Sequence, residues 1–122
     1  MDEYEQDRIQ DIYMHLKNKG FDVYFPAQHQ GECVSPYVVV KGDSNLQFQQ
    51  FSTTSHYYDL LCYIPKDNYS TLYPFVDSVK AAMKELETKI MIRPAYYDTE
   101  SYYDEAIKGH MVSIQYINYR KM

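Results

Sequence analysis

The feature that most constrains the fold is a long apolar stripe between residues 72 and 86. Its members recur every three or four residues, as they do along one face of an α-helix: Leu72, Phe75, Val76, Val79, Met83 and Leu86. We expect Ser70 or Thr71 to cap the first turn, where Pro74 is tolerated because early N–H groups have no partner within the helix. A helix with one continuous apolar face must bury that face, so the rest of the chain has to supply a second layer.

A similar pattern predicts another helix over residues 2–19. Its apolar positions lie on one face of a 3.6-residue period: Ile9, Ile12, Tyr13 and Leu16. Acidic residues crowd its start, and Lys17 and Lys19 lie near its end, an order that complements the helix dipole. Gly20 accepts a left-handed C-cap without steric strain, so we expect the helix to end there.

The segments between and after the helices have the β-branched and aromatic content of strands. We expect strands over residues 21–25, 36–41, 46–51, 57–64, 89–97 and 110–119. Residues 52–56 fit either a loop or the centre of a long bent strand. Residues 98–109 are interpreted as a connecting excursion with room for one helical turn.

The order of these elements predicts the architecture. Strands joined by short turns tend to pair antiparallel, and two amphipathic helices need one sheet face to cover. We therefore expect an α+β fold, a two-layer sandwich with a mostly antiparallel sheet and both helices packed on one face. The last strand provides a test, since Val112, Ile114 and Tyr116 should face the helices. Its opposite face then carries a mixed polar and apolar set: Ser113, Gln115, Ile117 and Tyr119.

Size and charge argue against several classes of protein. At 122 residues the chain fits one domain, residues 1–122, and can bury a core without metal or disulfide crosslinks. A net charge of −5 argues against a sequence-specific nucleic-acid binder, which needs clustered Lys and Arg. No apolar run approaches the roughly 20 residues of a membrane helix, and the acidic start is unlike a signal peptide. We expect a cytoplasmic chain with Cys33 and Cys62 as free thiols and no membrane partner.

No motif predicts an enzyme, a metal site or a cofactor. The four glycines are too dispersed for a phosphate-binding loop. His29 and Cys33 are competent metal ligands four residues apart, but a structural zinc site needs four ligands. Cys62 lies in an apolar strand, where a free cysteine behaves as a small buried hydrophobic residue rather than a nucleophile. We expect no catalytic residues, no metal and no cofactor.

The stretch YYDTESYYDEAIKGHMVSIQYINY, residues 96–119, contains six of the 15 tyrosines. Its acidic residues lack the spacing and central glycine of a calcium loop, and are typical of a solvated face: Asp98, Glu100, Asp104 and Glu105. Its paired tyrosines are candidate anchors of a protein interface: Tyr96, Tyr97, Tyr102 and Tyr103. The alternative is that half of these rings fold back onto the sheet.

The order of short motifs resembles a known family. GFDVYFP (residues 20–26) ends the first helix, and a loop leads to PYVVVKG (36–42). YYDLLCYIP (57–65) precedes the second helix, and GHMVSIQY (109–116) begins the last strand. Together these runs resemble the small tail-completion proteins of long-tailed bacteriophages, the tail terminators and neighbouring neck proteins.

The resemblance implies a structural protein of the virion, without catalysis, in the neck region of the tail. Tail terminators form a ring, commonly of about six subunits, through heterologous contacts. The ring stops the growth of the tail tube and joins the tail to the head, so the implied partners are copies of the chain, the tail-tube protein and head-completion proteins.

Two regions are candidates for those contacts. The first is residues 96–110, with Tyr96, Tyr97, Tyr102, Tyr103, Asp104 and Glu105; the second is the loop of residues 28–35, with Gln28, His29 and Glu32. Three alternatives remain open: another neck or head-completion protein, a small cytoplasmic enzyme or ligand-binding domain with a sheet-face pocket, or a regulator that binds one partner.

Overall fold

The computed structural model describes residues 3–29, 31–42, 56–95 and 98–118. Two helices and six strands lie in these ranges, with a 3₁₀ helix, Lys66–Thr71, before the second α-helix. In chain order they are α1 (Glu3–Asn18), β1 (Val23–Tyr24), β2 (Tyr37–Gly42), β3 (His56–Pro65), α2 (Leu72–Leu86), β4 (Ile92–Pro94), β5 (Tyr102–Asp104) and β6 (Gly109–Asn118).

The strands form one sheet in the order β1-β2-β3-β6-β4, and β5 also pairs with β6. The β1–β2 pair is parallel and the other four pairs are antiparallel. The central pair is β3 with β6, in register from His56 opposite Asn118 to Pro65 opposite Gly109. The predicted mostly antiparallel sheet is therefore confirmed.

One face of this sheet and the two helices enclose the core. Val112, Ile114 and Tyr116 are buried in it, as the alternation along the last strand predicts. The helices contribute Ile12 and Leu16 from α1 and the predicted apolar stripe from α2. The two-layer α+β arrangement with both helices on one face is thus confirmed.

The start of α2 differs from the expectation. The helix spans Leu72–Leu86 as predicted, but neither Ser70 nor Thr71 caps it through a side chain. Residues 66–71 already turn as a 3₁₀ helix, and the Thr71 hydroxyl donates back to the carbonyl of Asn68 at 2.7 Å. A preceding helical turn therefore takes the place of a side-chain cap.

The strand predicted over residues 89–97 is shorter, because the chain keeps turning after α2. The amides of Lys89 and Ile90 both donate to the carbonyl of Leu86, so β4 begins only at Ile92. The excursion predicted over residues 98–109 contains a strand, β5, which returns to the edge of β6. The strand predicted over residues 46–51, most of residues 52–56, and Tyr119 lie outside the described residues.

Between β4 and β5 the edge of β6 is still hydrogen-bonded. The Ala95 amide donates to the Gln115 carbonyl at 2.8 Å, and the Thr99 amide donates to the Ser113 carbonyl at 3.0 Å. The Ser113 amide in turn donates to the Thr99 hydroxyl at 2.9 Å. The described part of residues 92–104 therefore follows β6 as an interrupted edge.

Candidate functional site

The two loops singled out in the sequence meet at one end of the sheet. The crossing loop, described over residues 25–29 and 31–36, follows β1 and contacts Tyr37 and Gly109 on the sheet face opposite the helices. Its Cys33 amide donates to the carbonyl of Ile107 at 2.7 Å, in the turn between β5 and β6. Cys33 also lies directly against Gly109, the first residue of β6. Regions far apart in sequence thus form one continuous surface.

A stack of aromatic rings holds the crossing loop in place. Tyr37 lies between His29 and Tyr63, with ring centroids 4.0 and 4.7 Å away and interplanar angles of 18° and 19°. Tyr24 meets the edge of Tyr37 at 5.5 Å. Tyr37 is only 4% exposed, and its burial raises the pKa of its phenol above the ordinary value. Tyr37 is therefore the centre of a small aromatic cluster outside the main core.

Local sequence explains how His29 reaches this position. Ala27 adopts a left-handed conformation with φ of 71°, and the Gln28 amide donates to the Phe25 carbonyl at 3.1 Å. The Gln28 side-chain oxygen accepts from the Phe25 amide at 2.8 Å. This tight turn reverses the chain, so that His29 stacks on the ring of Tyr37 in β2.

The thiols are placed for packing rather than for nucleophilic chemistry. Both are free and buried. Burial raises the pKa of Cys33 to about 11 and that of Cys62 to about 12, so both are protonated at neutral pH. Cys33 is the surprise, because its polar sequence surroundings do not indicate burial. In the described residues no group of three or more His, Cys, Asp or Glu side chains is placed to hold a metal ion.

The tyrosines of β5 divide between the two predicted roles. Tyr103 folds back onto His110, at 5.0 Å between centroids, and Tyr69 packs on the same imidazole at 4.7 Å. The His110 Nε2 lies 3.2 Å from the Lys66 carbonyl, which can only accept, so this nitrogen donates. Tyr102, the preceding residue of β5, lies on the opposite face of the strand from Tyr103 and is 58% exposed.

The remaining predicted contact residues lie around the same end of the sheet. Asp104 is half-buried, and its Oδ1 accepts from the Ala106 amide at 3.0 Å. Gln28, Glu32 and Glu105 are exposed, whereas His29 is half-buried within the aromatic stack. Tyr96 and Tyr97 lie outside the described residues.

The structure also reveals two surfaces that are not among the contact regions predicted from the sequence. The first is the open face, the part of the sheet opposite the helices and beyond the crossing loop. Strand alternation and register place eight partly or fully exposed residues there: Val39 and Lys41 of β2, Tyr57, Asp59 and Leu61 of β3, and Ser113, Gln115 and Ile117 of β6. The alternation along β6 already indicated a mixed second face, but the partners across the sheet require the register.

The second surface is a groove of about 280 Å³ between α2 and the chain that follows β4. Its charged lining residues are Lys80, Lys84, Glu87 and Asp98. Lys80 and Asp98 are ion-paired, with 2.6 Å between Nζ and Oδ2. This pair spans the groove, so two of its four charges already satisfy each other.

No protein-family model, curated protein or solved structure matches this chain. Among the described residues, no helix has both the length and the apolar character needed to cross a membrane.

Proposed function

We propose that this chain is a structural protein of a long-tailed bacteriophage, a tail terminator or tail-completion protein. In this proposal copies of the chain form a ring that caps the tail tube and joins the tail to the head. The tail-tube protein and head-completion proteins are the other partners. The order of sequence motifs suggests this family, and one surface feature of the fold supports a role in assembly.

That feature is the tyrosine-rich edge, defined as Tyr69, Tyr102 and Tyr103. Two of its rings are about half exposed: Tyr69 at 47% and Tyr102 at 58%. Tyrosine is enriched at protein interfaces because its ring buries apolar area while its hydroxyl stays hydrated. Exposed aromatic rings around a short edge strand therefore favour a contact surface for another protein.

The anchoring of this edge supports the same role. His110 holds Tyr69 and Tyr103 from one side, and the Tyr69 hydroxyl lies 3.4 Å from the Ser101 hydroxyl. Side chains that are already ordered lose less conformational freedom when a partner binds. The edge is thus preorganised for a heterologous contact, the type of contact that closes a ring.

The test is assembly on the tail tube. We expect purified chain added to tail tubes to cap one tube end with a ring, seen by electron microscopy, and to block further tube growth. Neighbouring genes for capsid, portal and tail-tube proteins would identify the tube protein to use. Absence of any binding to tube ends, with a folded chain, would contradict the proposal.

A matched pair of variants assigns the contact. Tyr102→Ser should reduce ring formation or tube capping at least about tenfold, because it removes an exposed aromatic anchor. Met14→Ser removes another exposed large side chain, 48% exposed on α1 and far from β5 in sequence, and should leave capping unchanged. Equal effects of the two changes would argue against the tyrosine-rich edge.

The groove beside α2 favours one alternative, a ligand-binding domain. Outside the Lys80–Asp98 ion pair its lining carries one lysine and one acid, Lys84 and Glu87, which suit a small zwitterionic molecule better than a simple anion. Lys84→Ala would then abolish ligand binding without changing assembly, whereas a tail-completion protein should tolerate that change.

A further inference from the structure

The open face is unlike the exposed surface of the helices. Its side chains along the middle of β2 and β3, Val39 and Leu61, are apolar and half-buried, and they are direct partners across the strand pair. In the described part of the chain both helices pack on the other face. Antiparallel sheets tolerate one solvated face, but that face is then usually polar. A partly apolar face is typical of a surface that another layer covers.

The charges on this face favour one kind of covering layer. Lys41 and Asp59 are register partners in the row next to Val39 and Leu61. Asp59 also accepts from the Gln115 amide nitrogen at 3.3 Å. Opposite charges therefore stand side by side on two adjacent strands, next to a matching pair of apolar residues. Although the whole chain carries a net charge of −5, this pair of charges is balanced.

Such a row is complementary to itself. Two sheets pack face to face about 10 Å apart, with their strands inclined by about 30°. A two-fold axis running along the strands, between β2 and β3, places β2 of one copy over β3 of the other. Lys41 then faces Asp59 of the second copy, and Asp59 faces the second copy's Lys41. The same operation places Val39 over the second copy's Leu61.

We propose that the open face is an isologous interface, at which two copies of this chain pair sheet to sheet through reciprocal Lys41–Asp59 and Val39–Leu61 contacts. The arrangement buries the exposed apolar middle of the sheet and leaves no charge unmatched within the row. The crossing loop borders the face at the Tyr37 end and limits the interface on that side.

This pairing is independent of the proposed role in the tail. An isologous contact closes on itself, whereas a ring uses two different patches on each subunit. A dimer through the open face would stand even if the chain never bound a tail tube, and tube capping would stand even if the open face proved to be solvated.

The experiment uses complementary charge reversal. Lys41→Asp carries two acids in the row and Asp59→Lys carries two lysines. Copies of each variant alone should therefore repel each other, and the affinity of the dimer should fall at least about 100-fold, because like charges face each other twice. An equimolar mixture should form a heterodimer near wild-type strength, measured by analytical ultracentrifugation at low salt.

Three controls make the result decisive. Lys84→Asp makes the same charge change on α2 and should leave the dimer intact. Circular dichroism and unfolding midpoints establish that each variant is folded. A monomeric wild type, single variants that pair like wild type, or a mixture that stays monomeric would each overturn the proposal.

Discussion

Cys33 packs onto Gly109 so closely that a side chain at position 109 has no room. A Cβ atom built on Gly109 would lie 2.9 Å from the Cβ of Cys33 and 3.2 Å from the Ile64 carbonyl oxygen. A contact below 3.0 Å forces one of the two groups to move. The crossing loop therefore packs against Gly109, a strand position that must lack a side chain. This contact joins the loop to the start of β6.

Gly109→Ala should therefore destabilise the protein by about 2 kcal/mol, since it overpacks a fixed site. Gly42→Ala is the matched control. Its added Cβ would also be close to a neighbour, 2.8 Å from Ile9 Cδ1, but that atom is the tip of a flexible side chain. We expect the Gly42 variant to lose clearly less stability in urea unfolding at pH 7.

The double variant Cys33→Gly/Gly109→Ala separates the two causes of strain. Removing the Cys33 side chain takes away the 2.9 Å contact and should recover part of the loss caused by Gly109→Ala. Additive effects of the two changes would show that Cys33 is not the obstacle.

Tyr37 should be the most sensitive aromatic position outside the main core. Tyr37→Ala removes a ring that contacts Tyr24, His29 and Tyr63, and we expect a loss of about 3 kcal/mol in unfolding free energy. Tyr37→Phe keeps the stack and should lose much less. Tyr73→Ala, on the exposed start of α2, should change stability by less than about 0.5 kcal/mol. A similar loss for Tyr37 and Tyr73 would contradict the aromatic cluster.

Thiol labelling should report opening of the crossing loop. Both thiols are buried and protonated near neutral pH, so an aromatic disulfide reagent at pH 8 should react slowly with the native protein. His29→Ala removes one ring of the stack and should raise the rate at Cys33 several-fold while leaving Cys62 unchanged. Glu32→Ala, an exposed change in the same loop, should leave both rates as in wild type. Mass spectrometry of the labelled peptides identifies each site.

Stability should fall in alkali. Folding raises the pKa of Cys33 from about 9.0 to about 11 and that of Cys62 to about 12. The unfolded chain therefore releases these protons first, and the stabilising contribution of each thiol is complete below pH 9 and declines as pH rises toward the folded value. Each thiol contributes a slope of up to about 1.4 kcal/mol per pH unit.

Replacing one thiol tests this linkage. Cys33→Ala should show a shallower decline between pH 9 and 10.5 than wild type, whatever its stability at pH 7, as measured by urea unfolding at several pH values. The buried phenols of Tyr37 and Tyr116, whose pKa values burial also raises, extend the decline to higher pH in both proteins. Identical slopes would mean that Cys33 ionises equally in the folded and unfolded chain.

Local pattern was enough to predict the helical layer and the central strands. The stripe from Leu72 to Leu86 gave the bounds of α2, because its burial repeats with the helical period. The alternation around Ile114 identified which face of β6 is buried. These features depend on neighbours in sequence, so a single chain reveals them.

The contacts that build the candidate surface depend on partners far along the chain. The burial of Cys33 follows from Gly109 and Ile107, more than 70 residues later. The stack of His29 on Tyr37 requires the turn at Ala27, whose left-handed backbone is unusual for alanine. Likewise, β5 was missed because a three-residue strand carries almost no periodic signal, and only pairing with β6 defines it.

The interrupted edge along β6 has a consequence for the chain at high concentration. Amyloid-like fibrils grow when a long free row of backbone amides and carbonyls accepts a strand from another molecule. Here the outer row of β6 is occupied by two three-residue strands and by the amides of Ala95 and Thr99 between them. On the far side of the sheet, β1 pairs with β2 over only two residues. In the described sheet both margins are thus short and broken, so that templated strand addition is disfavoured even where copies of the chain are crowded together.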